Sequence, residues 1–146
     1  MSATEEGVSH WRRIAIGGGA AMFTGIALGR FTYTTMVPPL IQSGQLTELE
    51  AGYVGGANLA CFFFGAYYAE KLRRALSIRL LLSCAVWLAL LALAASAVPW
   101  GFYWLALWRG VLGAIAGLIM VQSIAFATAA APPDKRPVAA GYVYAG

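Results

Sequence analysis

Acidic side chains are missing from every long apolar stretch of this sequence. The six Asp and Glu residues are Glu5, Glu6, Glu48, Glu50, Glu70 and Asp134, and all lie at the ends of such stretches or between them. Charge of either sign is scarce, 11% of residues where a soluble globular domain carries about 25%. With 60% of residues hydrophobic, the composition belongs to the bilayer. The one histidine, His10, sits in the N-terminal tail. Cys61 and Cys84 lie inside apolar runs without CxxC or Cys/His spacing, so they read as small packing residues, not as metal ligands or a redox pair. Without paired carboxylates, a ligand cluster or a nucleophile beside a base, neither an enzyme nor a metal or other cofactor is expected. Gly17-Gly18-Gly19 is no phosphate loop, because no strand precedes it and no Lys-Ser/Thr follows. The net charge of +4 does not indicate nucleic acid, since the cations fall in short clusters between apolar runs.

What is present is an all-α membrane pattern of four spans plus the start of a fifth. Residues 1–13 form a polar tail ending in Trp11-Arg12-Arg13, the signature of a cytoplasmic membrane boundary. The apolar run behind it is too long for a signal-peptide core, and no small-residue cleavage site closes it. The first span covers about 14–37, where Gly17, Ala21, Gly25 and Gly29 recur every four residues. Such a stripe lets another backbone come close. Pro38-Pro39 is expected to end or kink this helix. The second span, about 51–69, repeats the pattern with Gly52 and Gly56 and holds Asn58, an uncharged polar group at depth. The third, about 80–98, is apolar all round, as a peripheral lipid-facing helix is. The fourth, about 103–131, opens in an aromatic belt of Trp100, Phe102, Tyr103, Trp104 and Trp108 and places Gly113 and Gly117 on the face of Arg109. After APPDKRP, the closing AGYVYAG reads as the first turns of a fifth span.

Orientation follows from the cations. Arg12, Arg13, Lys71, Arg73, Arg74, Arg79, Lys135 and Arg136 all fall in the segments of one side, and those of the other side have none. By the positive-inside rule the N-terminus and the loop after the fourth span are cytoplasmic, in what reads as a bacterial inner (cell) membrane.

Two cations remain, Arg30 and Arg109, both within spans. Arg30 is ~24 Å along the helix from Ile14 and Arg109 is ~9 Å from Tyr103, at 1.5 Å per residue. Both guanidinium groups therefore reach the outer third of an about 30 Å hydrocarbon core. An arginine at mid-span costs roughly 2.5–3.5 kcal/mol on insertion scales, which makes it a candidate functional group. Tyr33 and Thr34 share the face of Arg30. Two cations at one level, with no acid in any span, suit attraction of an anion or of carboxylates from other helices. The alternative is that each arginine snorkels to the outer headgroups.

The surroundings of Arg109, residues 105–117 (LALWRGVLGAIAG), resemble the fourth-helix motif of the major facilitator superfamily, with Leu112 where that motif usually has Gln. The segment from Gly65 through Arg73 and Arg74 resembles the family's signature for the cytoplasmic loop between helices two and three. Ala69 stands there in place of Asp, Leu72 in place of Gly, and Glu70 is the nearest acid. Residues 25–34 (GIALGRFTYT) and 50–59 (EAGYVGGANL) resemble the first two spans of the YbfB/YjiJ-type subfamily. The resemblance runs from about Trp11 to the end and implies the N-terminal third of a twelve-span transporter built from inverted three-helix repeats. It implies that helices one and four line the cavity, and that Arg109 takes part in proton or substrate coupling.

The expected function is therefore that of the N-terminal portion of a secondary transporter for a small, anionic solute, with proton coupling and the remaining helices as partners and no activity expected of this portion alone. Arg30, Arg109, Tyr33, Thr34 and Asn58 are the candidate path residues. Gly25, Gly29, Gly52, Gly56, Gly113 and Gly117 are the candidate packing positions. The competing reading is a small membrane scaffold or partner subunit whose glycine stripes dock another protein. A four-span exporter fits less well, because such exporters need a buried Glu where this chain has Arg30.

Overall fold

The structure, a computed structural model, describes residues 14–23, 29–98 and 100–145. The tail 1–13 with its boundary arginines, Gly25 and Pro99 lie outside the described residues, as does the stretch 24–28 of the first expected span. Among the described residues all regular structure is helical. α1 covers residues 14–22. It is followed by α2 (Gly29–Gln42), α3 (Glu48–Ala75), α4 (Ile78–Ser96), α5 (Phe102–Ala130) and α6 (Arg136–Tyr144), with a short 3-10 turn at Pro133–Lys135.

α5 is the element the others pack on. Its buried residues, from Leu105 through Ile115 and Ile119 to Ala127, fall on more than one side of the helix. α3 lies along one side and α4 and α6 along others. The α3–α5 contact is the most extensive, and small residues make it so. A side-chain carbon at Gly65 would strike the carbonyl of Ala114, one at Gly113 the carbonyl of Asn58, and one at Gly117 the carbonyl of Phe62. The two backbones meet directly, which in lipid replaces the hydrophobic drive between helices. Residue numbers rise together across this seam, so α3 and α5 run parallel. α2 runs the opposite way, with Gly29 beside Arg109 and Leu40 beside Leu105.

α4 touches its neighbours through one stripe, Leu81, Ala85, Ala89, Ala92 and Ser96, spaced three or four residues apart. Trp87, Leu88 and Leu91 on its other sides are exposed. The turn into α5 depends on Gly101, whose φ of 91° is open to glycine alone. Trp104 clasps that turn, donating its indole N–H to the Ala95 carbonyl at 2.9 Å and packing between Trp100 and Trp108. α3 begins at a reciprocal cap: the Thr47 hydroxyl accepts from Glu50 N at 3.2 Å, and Glu50 Oε2 accepts from Thr47 N at 2.8 Å.

Several boundaries differ from expectation. α2 does not end at Pro38-Pro39 but carries both inside and continues to Gln42. Each proline withdraws one donor, but later donors keep the helix going, with Ser43 N bonding the Pro39 carbonyl at 3.0 Å. α3 runs six residues past the expected end of the second span, so Arg73 and Arg74 lie on a helix, not in a loop. Gly65 lies deeper in the same helix, against α5. Glu70 makes this extension possible by pairing with Arg73 and Arg74 one turn on. Among the described residues two helices, α4 and α5, are long and apolar enough to cross a membrane. α2 has only 14 residues in its described part, and α3 is diluted by glycines, tyrosines and Asn58. The apolar criterion therefore picks out two of the four expected spans.

Candidate functional site

Arg109 is carried into the interior because α5 is packed on several sides at once. The residue is 2% exposed, and no carboxylate of the described residues meets it. Its Nη1 donates to the Gly29 carbonyl at 2.7 Å, its Nη2 lies 3.7 Å from Met36 Sδ, and the guanidinium carbon sits 4.8 Å from the centre of the Tyr33 ring. A carbonyl dipole, a polarisable sulfur and a ring face together stabilise the cation without neutralising it. Nε is buried with no partner among the described residues. All three partners of the guanidinium belong to α2, so Arg109 ties α2 to α5.

The neighbours of Arg109 are fixed in turn. The Tyr33 hydroxyl donates to the Ala51 carbonyl at 2.5 Å, joining α2 to α3. Asn58 Nδ2 donates to the Arg109 carbonyl at 2.6 Å, joining α3 to α5 where Gly113 lets them touch. The Thr34 hydroxyl bonds back to the carbonyls of Arg30 and Phe31 at 3.0 and 3.1 Å, so its proton is committed within its own helix. Arg30 is exposed, and its side chain makes no ion pair or hydrogen bond with the described residues.

These side chains surround one pocket of about 300 Å³, lined by Arg30, Tyr33, Thr34, Asn58 and Arg109 together with the apolar Val54 and Leu59. The five residues named from sequence as a solute path thus share one pocket. The situations of the two arginines differ: Arg109 is buried and tied, Arg30 is free. The packing candidates divide as well. Gly113 and Gly117 lie under α3, whereas a side-chain carbon at Gly29, Gly52 or Gly56 would meet nothing within 4 Å among the described residues.

Sequence reasoning passed over Gly110, packed against Cys61 Sγ, and the buried pair Gln122 and Ser123. Gln122 Nε2 donates to the Ala69 carbonyl at 2.7 Å, pinning the far end of the α3–α5 seam. Gln122 Oε1 and Ser123 Oγ are buried without partners among the described residues. The signal for Gln122 was there, since it is the only amide in the fourth apolar run, as Asn58 is in the second. Outside the membrane pattern, Arg73 grips Glu70 at 2.9 and 2.7 Å. Chiefly through that hydrogen bond, the Glu70 carboxyl is lowered to about 2. No group of three or more potential metal ligands occurs among the described residues.

Among the described residues, the membrane-length apolar helices α4 and α5, with a cation-bearing pocket where α5 meets α2 and α3, fit an integral membrane protein. The family described as "uncharacterised MFS-type transporter YbfB" matches residues 22–146, and the chain belongs to that family of major-facilitator-type transporters. No curated protein and no solved structure matches it.

Proposed function

We propose that this chain forms the N-terminal part of a secondary transporter that moves a small anionic solute, with Arg30, Tyr33, Thr34, Asn58 and Arg109 on the solute path. The observation that carries the proposal is the shared pocket, which has two arginines and no carboxylate among its described lining residues. Such a site attracts anions and repels cations. In this reading the four spans lie in the inner membrane with the N-terminus cytoplasmic, an orientation supported by the eight cations that cluster on one side. Proton coupling, implied for Arg109 by the family resemblance, belongs to the same proposal, as does the need for further helices to complete a transport cycle.

The test is uptake of a panel of anionic and neutral solutes by cells expressing the gene, with Arg30→Ala and Arg109→Ala in parallel. The proposal expects uptake of at least one anion to collapse in both variants when normalised to membrane abundance. A membrane scaffold, the alternative reading, would leave all uptake indifferent to both substitutions.

A further inference from the structure

We infer that the pocket between α2, α3 and α5 takes a monocarboxylate with an apolar or aromatic body, and that Arg30 alone holds its headgroup while Arg109 stays tied to α2 as a positioning residue. The inference rests on the proposed reading of the pocket as a solute site and adds the class of solute and the division of work between the arginines.

An inventory of donors carries it. The Tyr33 hydroxyl is given to Ala51 O, the Thr34 hydroxyl to carbonyls of its own helix, and the Asn58 amide to Arg109 O. The Arg109 guanidinium is 2% exposed and engaged with Gly29 O and Met36 Sδ. A solute reaches it only by pulling α2 away from α5. Arg30 is the one charged group in the lining with all its donors uncommitted to described residues, and its planar fork matches one carboxylate bidentately. One such fork serves one headgroup. A second anionic group on the solute would meet no second accessible cation in the lining and would have to be desolvated against Val54, Leu59 and the Tyr33 ring.

The remaining space suits an apolar body. An apolar cavity of about 150 Å³ holds a benzene ring, so about 300 Å³ admits a substituted ring or a branched chain of similar bulk. The buried charge of Arg109 strengthens the positive field without offering contacts. It also keeps the Tyr33 ring in place, and that ring forms one wall.

The experiment measures binding of three probes, benzoate, benzyl alcohol and succinate, to the purified protein in lipid nanodiscs by calorimetry. It is repeated with Arg30→Gln and Arg30→Lys, at a site whose exposure makes misfolding an unneeded explanation. The expected result is benzoate tightest of the three. Arg30→Gln should weaken benzoate at least tenfold and leave benzyl alcohol unchanged, and Arg30→Lys should restore part of the loss. Benzyl alcohol binding as tightly as benzoate, or succinate binding more tightly, would overturn the monocarboxylate assignment while leaving a solute pocket in place. Benzoate binding that ignores Arg30→Gln would overturn the role given to Arg30. Silence from all three probes would instead bring down the pocket reading on which the inference stands.

Discussion

The two arginines carry the same charge but make opposite demands on the protein. Arg109 is buried, and its carbonyl, sulfur and ring partners all come from α2. Arg109→Ala leaves the Gly29 carbonyl without that donor and loosens the Tyr33 wall. It should lower stability in detergent by about 1.5–3 kcal/mol, the range for hydrogen bonds to charged groups, seen as a lower thermal unfolding temperature. Arg30 is exposed, and Arg30→Ala should stay within about 0.5 kcal/mol of the parent. Equal losses in the two variants would contradict this division. Glu70 gives a pH signature at the same scale. Its carboxyl sits at about 2 instead of the ordinary 4.5, so its folded value is depressed. The stability it contributes is fully present above the ordinary value and is lost as pH falls through about 2. Carbon NMR of the Glu70 carboxyl should report a midpoint near 2 that returns toward the ordinary value in Arg73→Ala.

Among the elements, the α3–α5 seam is where a single methyl group matters most. At Gly65, Gly113 and Gly117 an added carbon meets a backbone carbonyl of the facing helix, and backbone does not move aside as a flexible side chain does. Gly113→Ala or Gly117→Ala should cost about 1–3 kcal/mol, as overpacking does, and should disturb the Asn58–Arg109 bond. Gly52→Ala and Gly56→Ala meet no neighbour among the described residues and should be neutral or stabilising by up to about 1 kcal/mol through helix propensity. Thermal unfolding of the four variants checks this, and a reversed order would refute the seam. Gly101→Ala should cost about 1–3 kcal/mol, since φ near 91° is a glycine-only conformation. Sequence spacing alone could not sort these glycines. The pattern of Gly52 and Gly56 equals that of Gly113 and Gly117, and only the facing helix tells which pair is covered. The course of α2 was hidden for a similar reason: a proline pair reads locally as a stop, whereas the donors that continue the helix lie beyond it.

For the molecule as a whole, the direction of the helices was legible and the tying together was not. Cation counting ordered the segments into two sides, and helix lengths put Arg30 and Arg109 at one level, so their shared pocket could be anticipated from residue numbers. That Arg109 would be engaged by backbone, sulfur and ring could not be. Those partners depend on α2 lying antiparallel against α5, a long-range arrangement that no local pattern encodes. Gln122, which pins the far end of the α3–α5 seam on Ala69, escaped notice because an uncharged amide breaks an apolar run less visibly than an arginine does. The central claim is that the pocket is open to water and selects anions. The direct measurement replaces Cys61 and Cys84 by alanine, places a cysteine at position 34 (Thr34→Cys) and compares its reaction rate with anionic and cationic methanethiosulfonate reagents in the membrane. The account predicts that the anionic reagent reacts faster and that the preference shrinks when Arg30→Ala is added. A cysteine that reacts with neither reagent, or faster with the cationic one, would contradict it.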